Sequence, residues 1–411
     1  FQAEDGIRDR SPSRGLGDVY KRQVIPMEKD KRQDNHGPHD TLRKELNQKA
    51  KKAGLLSPSV GKEWGGLGLD MRGMSVIFEA SGYSLLGPQA MNCSAPDEGN
   101  MHLLEVVANK DQKEKWLKPL AAAKIRSCFS MTEPSPGAGS DPTMLQTTAT
   151  RTKRGWVING EKWFITGFNG AKLNIVMAKT SEKIENSLGA TMFLINNNDP
   201  GITKLRTQNS MESSFVGGHC QIQFKDLEVS DDQVLGEVGL GYKYAQVRLA
   251  PARLTHCMRW LGAAQRAHDI ATSYASTRYA FGKKIGDHGG LAFQLSDSEI
   301  DIHLSRLFIY NTAWLLDQGN EARNESSMSK IFCSEAAFRI VDRAMQTLGG
   351  MGITDDTVVE RLFREIRPFR IYDGPSEVHR WAIAKRLMKE RNIDAVGLPW
   401  RIRRAGTGIQ I

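Results

Sequence analysis

The sequence predicts a mainly helical, multidomain α+β chain, with an N-terminal all-α domain, a middle β-barrel or sandwich domain and a C-terminal four-helix bundle. Three observations predict this. Apolar residues recur at helical spacing from about Asp40 to Arg126. Around Ser127 the period changes to short alternating runs punctuated by Gly and Asn. After Gly241 the helical period returns in long segments joined by short loops, as in an antiparallel bundle. The expected divisions are residues 1–23 as a leader, 24–127, 128–237 and 238–390 as the three domains, and 391–411 as a tail.

In the first domain Leu42, Leu46 and Ala50 mark one helix, with Gly54 placed as its C-terminal stop. A Gly-rich loop (Glu63–Gly68) follows. Met74, Ile77, Phe78, Ser81 and Leu85 form a second stripe, Met101, Leu104 and Val107 a third, and Lys113 to Ala123 a fourth, interrupted at Pro119. In the middle domain Ser127–Met131 reads as a buried strand leading into a turn-rich loop, Thr132–Asp141. Asn159-Gly160 between apolar arms predicts a type I′ hairpin. Ile175–Ala178, Met192–Ile195 and Cys220–Phe224 add strands, the last with clean alternation. Helices are expected at roughly 243–281, 291–318, 322–348 and 375–389, with a shorter one near 355–366. Between the last two an extended run, Phe369–Tyr372, delivers Asp373 onto a Gly374-Pro375 turn, after which Ser376 is placed to cap the final helix.

Length and composition bound the function. The 411 residues suffice for two or three domains with sizeable cores. No apolar run reaches the roughly 18 residues that span a bilayer, so no stable membrane insertion is expected. The net charge of +9 is partly contributed by the basic tail, and no basic stripe interleaves with aromatics, so nucleic acid is not an expected partner. Such a surface equally suits an anionic, phosphorylated ligand. Cys93, Cys128, Cys220, Cys257 and Cys333 lie far apart, which speaks against a metal site or a disulfide framework and for a reducing, intracellular compartment. Residues 1–23 carry alternating charge and no helical stripe, and are expected to be a leader foreign to the fold.

Several stretches could carry chemistry. A carboxylate on a stiff turn at the start of a helix, as at Asp373, suits general-base work. The Thr132–Asp141 loop offers backbone donors and hydroxyls that could hug a phosphate or a flat ring. Thr166 ends the Trp163–Thr166 strand beside aromatics, Gln346–Gly352 closes a helix with glycines, and Arg278–Gly282 is a helix terminus. Taken singly, each has a plainer reading as a turn, a cap or strand packing. Zincin, nucleophile-elbow and P-loop motifs are absent from the sequence.

Together and in this order, these stretches resemble the acyl-CoA dehydrogenase family. The resemblance runs from Asp40 to Lys389 and is carried by KEKWLKPL (Lys113–Leu120), MTEPSPGAGSD (Met131–Asp141), VINGEKWFIT (Val157–Thr166), RYAFGK (Arg278–Lys283), QTLGGMG (Gln346–Gly352) and YDG (Tyr372–Gly374). It implies an FAD enzyme that converts an acyl-CoA to a trans-2-enoyl-CoA, a base taking the α-proton while the β-hydrogen leaves as hydride to flavin N5. By position Asp373 is the base, and Arg253 helps set the electrostatics. Phe129, Met131, Thr132, Gly139 and Ser140 would border the flavin, with Ser140 toward the CoA. Phe164, Ile165 and Thr166 would back its ring system, and Ser376 and Glu377 would follow the base toward the cofactor. Arg278, Phe281, Gln346, Gly349 and Gly350 would reach the FAD of a neighbouring subunit. Tyr372, Asp373, Gly374, Arg253 and Ser140 would meet the substrate. The resemblance further implies a homodimer or homotetramer, an electron-transfer flavoprotein as electron acceptor, a role in fatty acid β-oxidation, and a cytoplasmic enzyme in a bacterium or a mitochondrial or peroxisomal one in a eukaryote. The alternatives are an acyl-CoA oxidase that uses oxygen and a catalytically silent flavin- or CoA-binding homologue.

The sequence also departs from the family pattern. The base is more often Glu, and Asp373 is one methylene shorter, like a branch that places aspartate there. The other position from which a base can act is occupied by Ala252. The Thr132 loop carries Ser135 and Pro136 as extra residues, and Gly289 and Ala250 replace a glutamine and an aspartate.

Overall fold

The computed structural model describes residues 23–180 and 189–390. Most of the expected leader and the whole expected tail lie outside these residues.

The N-terminal helices are α1 (Asp40–Lys52), α2 (Met71–Gly82) and α3 (Asp97–Val107), followed by an irregular helical run from Lys110 to Ala121 with a π-turn at Lys113–Leu117. Gly54 follows α1 with φ +70°, the left-handed stop its position suggested. The middle region is one eight-stranded sheet. Its strands are β1 (Ser127–Ser130), β2 (Thr148–Thr152), β3 (Gly155–Thr166), β4 (Leu173–Thr180), β5 (Ala190–Asn196), β6 (Ile202–Gln208), β7 (His219–Val229) and β8 (Val234–Leu235). They run in the order β8-β5-β4-β2-β3-β7-β6, and β1 pairs in parallel with β4. The C-terminal helices are α4 (Gly241–Thr277), α5 (Gly289–Asp317), α6 (Arg323–Leu348), α7 (Val359–Ile366) and α8 (Ser376–Glu390).

Two local expectations are overturned. Asn159-Gly160 is not a hairpin: β3 passes straight through it, and the hairpin turn is six residues earlier, at Lys153-Arg154, with Thr152 opposite Gly155. Gly160 instead sits at a register irregularity against β7, with φ +150°, and a Cβ there would lie 2.5 Å from the Thr147 hydroxyl. A bulge and a primed turn both demand a residue free of a Cβ, so the same dipeptide serves either. Nor is Phe369–Tyr372 extended. Arg367–Arg370 forms a 3₁₀ turn started by Pro368, and Ile371 closes onto the Pro368 carbonyl.

Three apolar clusters organise the chain. One joins α1 and α2 to α4, α6 and α7, centred on Phe78, Leu254, Met258, Ile340 and Phe369. A second ties α3 and the Trp116 run to the sheet and the start of α4, and a third fills the sheet interior around Trp156, Phe193 and Phe224. The N-terminal helices therefore have no core separate from the bundle. At the α2–α4 crossing, a Cβ on Gly82 would fall 1.8 Å from the Arg259 carbonyl oxygen, and one on Gly262 would fall 1.9 Å from that of Glu79. Glycine at both positions lets the two backbones touch, which fixes the height of Arg259 and Trp260 along α2.

Candidate functional site

Asp373 sits where the 3₁₀ turn meets α8. Its φ is +54° and that of Gly374 is +96°. Two successive left-handed residues reverse the chain sharply, and Asp tolerates that conformation better than most residues. A side chain at Gly374 would collide with His379, whose Nε2 would be 2.7 Å from its Cβ. The turn is held by its main chain: Arg253 Nε–H and His379 Nε2 both lie within hydrogen-bond distance of the Asp373 carbonyl, at 3.2 and 3.1 Å. Ser376 does not cap α8 through its backbone. Its hydroxyl donates to Glu335 at 2.8 Å, which pins the helix start to α6, and Glu377 points to solvent.

The Asp373 carboxylate is 18% exposed and lies 3.2 Å from His256 Nε2. Burial alone would raise its pKa, and a raised value is what burial of a general base suggests. That upward push is outweighed by the His256 hydrogen bond and by the charges of Arg248 and Arg253, so the carboxyl is held well below its ordinary value and is ionised. His256 is itself pushed downward, first by burial and then by Arg259. A neutral imidazole donating Nε2–H to a carboxylate satisfies both groups. Tyr372 packs on this histidine, with ring centroids 5.0 Å apart, and Trp260 Nε1–H donates to its hydroxyl. Burial keeps that phenol protonated. Below the turn Lys330 is fully buried, 5.4 Å from the Phe369 ring, and burial lowers its pKa to about 8.

The Thr132 loop and the β3 edge form a second wall. Phe129 on β1 is covered by the Arg248 guanidinium, 4.2 Å from the ring centroid. After Met131 and Thr132 the loop folds back on a buried ion pair. Lys162 Nζ contacts Glu133 Oε1 at 2.8 Å and the Met131 carbonyl at 3.0 Å, while Glu133 also accepts from the amides of Ala138, Gln146 and Thr147. Gly139 and Ser140 are exposed on the rim of this loop. The second irregularity of β3, between Lys162 and Ile165, turns Phe164 outward with φ +53° and 51% exposed. Bulges re-aim side chains at such edges. Ile165, by contrast, points into the sheet core, so only its backbone can face a ligand here. Thr166 Oγ1 is 2.9 Å from His219 Nδ1, and His219 Nε2 is 2.7 Å from Glu212 Oε1.

The remaining candidates gather elsewhere. Arg278 closes α4, and Phe281 tips a two-stranded hairpin (Tyr279–Ala280 with Lys283–Lys284), 96% exposed at φ +51°. Gln346, Gly349 and Gly350 end α6 and are exposed. Arg253 and Arg278 share one helix, and 25 residues at 1.5 Å each put them roughly 37 Å apart. The structure therefore brings together Asp373, Arg253, Tyr372 and Gly374, and sets Arg278, Phe281 and the α6 glycines at the far end of α4. His256, Arg248, Arg259, His379 and Lys330 were missed as site residues. His256 and Arg259 do carry a signal, falling three and six residues after Arg253 on one helical face.

Comparisons with known proteins agree along most of the chain. The N-terminal, middle and C-terminal domain profiles of acyl-CoA dehydrogenases match residues 15–124, 128–227 and 239–388. A Mycobacterium tuberculosis protein named "Probable acyl-CoA dehydrogenase FadE2" is 38% identical over 360 residues, 86% of this chain and 88% of its own. The chicken protein named acyl-CoA dehydrogenase family member 11 is 37% identical over 76% of this chain, but the match spans only 41% of that longer protein. Among solved structures, butyryl-CoA dehydrogenase from Megasphaera elsdenii superimposes with a TM-score of 0.82 at 26% identity, covering 93% of this chain and 98% of its own. With three domain profiles matched in order and a relative of this identity covered almost end to end, the chain belongs to the acyl-CoA dehydrogenase family, a family of FAD-dependent oxidoreductases.

Proposed function

We propose that the protein dehydrogenates an acyl-CoA thioester between Cα and Cβ, with Asp373 as the base. The observation that carries this reading is the Asp373 turn: a buried, ionised carboxylate on a main chain locked by Arg253 and His379, beside an aromatic wall.

The residues present fit FAD. Phe281, with almost all of its surface bare, and the outward, half-exposed Phe164 are aromatics that each touch one neighbouring ring (His288 and Trp163) and leave a face open, and side chains added at Gly139, Gly349 or Gly350 would meet no atom within 4 Å. Open backbone ledges flanked by exposed aromatics and the Thr132 and Ser140 hydroxyls suit a flat ring and a pyrophosphate. When bound, FAD supplies the hydride acceptor for the β-hydrogen. Phe129, Met131, Thr132, Gly139, Ser140, Phe164, Thr166 and the Ile165 backbone would hold it, with Glu377 on the base side, while the buried Ser376 anchors the helix start to Glu335.

Asp373 Oδ takes the α-proton. Its own amide, displayed by the left-handed turn, donates to the thioester carbonyl and stabilises the negative charge that develops there. His256 donates to the carboxylate and keeps it aimed. Entry of an apolar acyl chain removes the remaining water from the carboxylate and so strengthens the upward push of burial on its pKa. Tyr372 and Gly374 shape the passage beside the Cα–Cβ bond. The far cluster of Arg278, Phe281, Gln346, Gly349 and Gly350 serves the cofactor of a second copy, since 37 Å of helix separates it from Arg253 within one chain. A homo-oligomer also accounts for Phe293, Ile300, Leu304, Leu307 and Trp314, an exposed apolar stripe along α5. An electron-transfer flavoprotein then reoxidises the enzyme. Among the described residues no helix is long and apolar enough to cross a membrane.

The test is anaerobic. Adding a panel of acyl-CoAs to the yellow protein should bleach the oxidised flavin band with at least one of them. A flavin that no acyl-CoA bleaches refutes the reading, and rapid peroxide formation under air would replace the electron-transfer flavoprotein by oxygen.

A further inference from the structure

Two titratable side chains beside Thr166, His219 and Glu212, have no part in the reaction described above. With Thr166 they form a hydrogen-bonded chain. Thr166 Oγ1 lies 2.9 Å from His219 Nδ1, and His219 Nε2 lies 2.7 Å from Glu212 Oε1. The His219 and Glu212 side chains are each 10% exposed. The chain is held from several sides. Buried Glu365 accepts from the Ser213 amide and the Ser214 hydroxyl, both at 2.6 Å, which ties the loop carrying Glu212 to α7. The Gly167 amide donates to the Gly218 carbonyl at 2.8 Å, which keeps His219 beside Thr166. The Phe215 ring lies 5.5 Å from that of His219 and 6.5 Å from that of Tyr372, so one aromatic ring stands between this chain and the base turn.

The direction of these bonds follows from the hydrogens available. Burial pushes the Glu212 carboxyl up, but the His219 hydrogen bond outweighs it and holds the carboxyl below its ordinary value. An ionised carboxylate only accepts, so a neutral imidazole here carries its hydrogen on Nε2 and leaves Nδ1 a bare acceptor. The Thr166 hydroxyl has one hydrogen, and Nδ1 takes it. The Thr166 oxygen then has only lone pairs to offer a ligand.

Resting on the dehydrogenase reading above, in which Thr166 borders the flavin, we propose that Glu212 and His219 are positioning residues that make the Thr166 hydroxyl an acceptor toward the cofactor. The ring nitrogen that receives the hydride bears a lone pair in oxidised FAD and a hydrogen in reduced FAD, and hydrogen bonds to ring nitrogens tune the cofactor. An acceptor-only Thr166 bonds the reduced form and not the oxidised one. The three residues thereby favour the reduced cofactor and help draw hydride from the substrate. A hydroxyl free to rotate would serve both forms and favour neither.

The experiment is a dye-equilibrated redox titration of the FAD-loaded protein without acyl-CoA, at about pH 9, where imidazoles are neutral. It reads the two-electron midpoint potential. Thr166→Val keeps the β-branched shape and removes the acceptor. It should lower the reduced-to-oxidised ratio by about tenfold, or about 30 mV, the scale of one hydrogen bond. His219→Phe frees the hydroxyl to turn, and Glu212→Gln lets the imidazole take either tautomer, so both should lower the potential too. Neither should add anything to Thr166→Val, whereas a merely structural role would act equally with and without the hydroxyl. Thr166→Val and Glu212→Gln alter little volume, so they decide the matter if His219→Phe does not fold. A potential that fails to fall in either of these two overturns the inference. So does an effect of His219→Phe or Glu212→Gln that persists in the Thr166→Val background. If no acyl-CoA bleaches the flavin, the dehydrogenase reading fails, and the titration still decides this inference.

Discussion

Against the middle of α4, Asp373 is surrounded by groups of its own chain. Arg253 and His379 hold its carbonyl, His256 its carboxylate, and Tyr372, Phe369 and Trp260 pack around them. At the C-terminal end of α4 Phe281 stands almost wholly bare on a hairpin tip, and Gly349 and Gly350 after α6 border empty space. The first region is enclosed by its own chain, and the second holds its candidate cofactor groups on a paired hairpin and a helix end with their surfaces open. The difference separates two kinds of residue that a motif reading treats alike. Substitutions in the enclosed region should change chemistry or stability, and those at the bare end should change cofactor retention alone.

The largest effect is expected at Asp373. Asp373→Asn should keep the flavin and lose about 10²–10⁴-fold in the rate of anaerobic flavin reduction, while Asp373→Glu should retain part of it. An Asp373→Asn enzyme that reduces at the parental rate would remove the base assignment. Next is the pair under the Thr132 loop. Lys162→Met leaves Glu133 buried and unpaired, and should cost about 3–5 kcal/mol in urea denaturation. Phe281→Ala should leave the denaturation midpoint of the flavin-free protein unchanged yet weaken FAD retention on dilution by about tenfold or more, the scale of one uncovered phenylalanine. If the bare end serves a second copy, mixing Asp373→Asn and Phe281→Ala subunits should yield hybrids with more activity than either parent. A mixture no better than its parents breaks the comparison. The smallest effect is in pH. Burial and Arg253 lower His379 from 6.5 to about 4, so between those values the unfolded chain binds the proton and the folded one does not. Stability should therefore fall as pH drops from 6.5 toward 4, and His379→Asn should flatten that slope.

How much of this could be read from sequence divides along the same line. Helical stripes, strand alternation and the left-handed stop at Gly54 are local signals and gave the order of elements. Asn159-Gly160 failed because a bulge and a primed turn ask the same of a residue, and only pairing with β7 distinguishes them. Phe369–Tyr372 failed because Pro368 starts a 3₁₀ turn that a four-residue window cannot tell from a strand. Ser376 looked like a cap, but its partner, Glu335, is 41 residues away on α6. The Asp373 turn stood out because left-handed backbone needs recognisable residues. Its partners did not, because Arg248, His256 and Arg259 lie on a helix buried on most sides, where polar residues face inward and leave no amphipathic stripe. The depressed pKa of Asp373 follows from those hidden cations and from nothing in its own motif.

The crossing of α2 and α4 bears on how such an enzyme can diverge. With backbone against backbone at Gly82 and Gly262, the helices can neither slide nor separate without losing the contact. The placing of His256 and Trp260 against the Asp373 turn is therefore a property of the main chain, inherited unchanged when side chains drift. Replacing side chains that line the site should alter what it accepts without moving the frame that carries Asp373. Substrate range and catalytic geometry can then be tuned by different mutations, so a lineage can explore new acyl groups without first dismantling its chemistry.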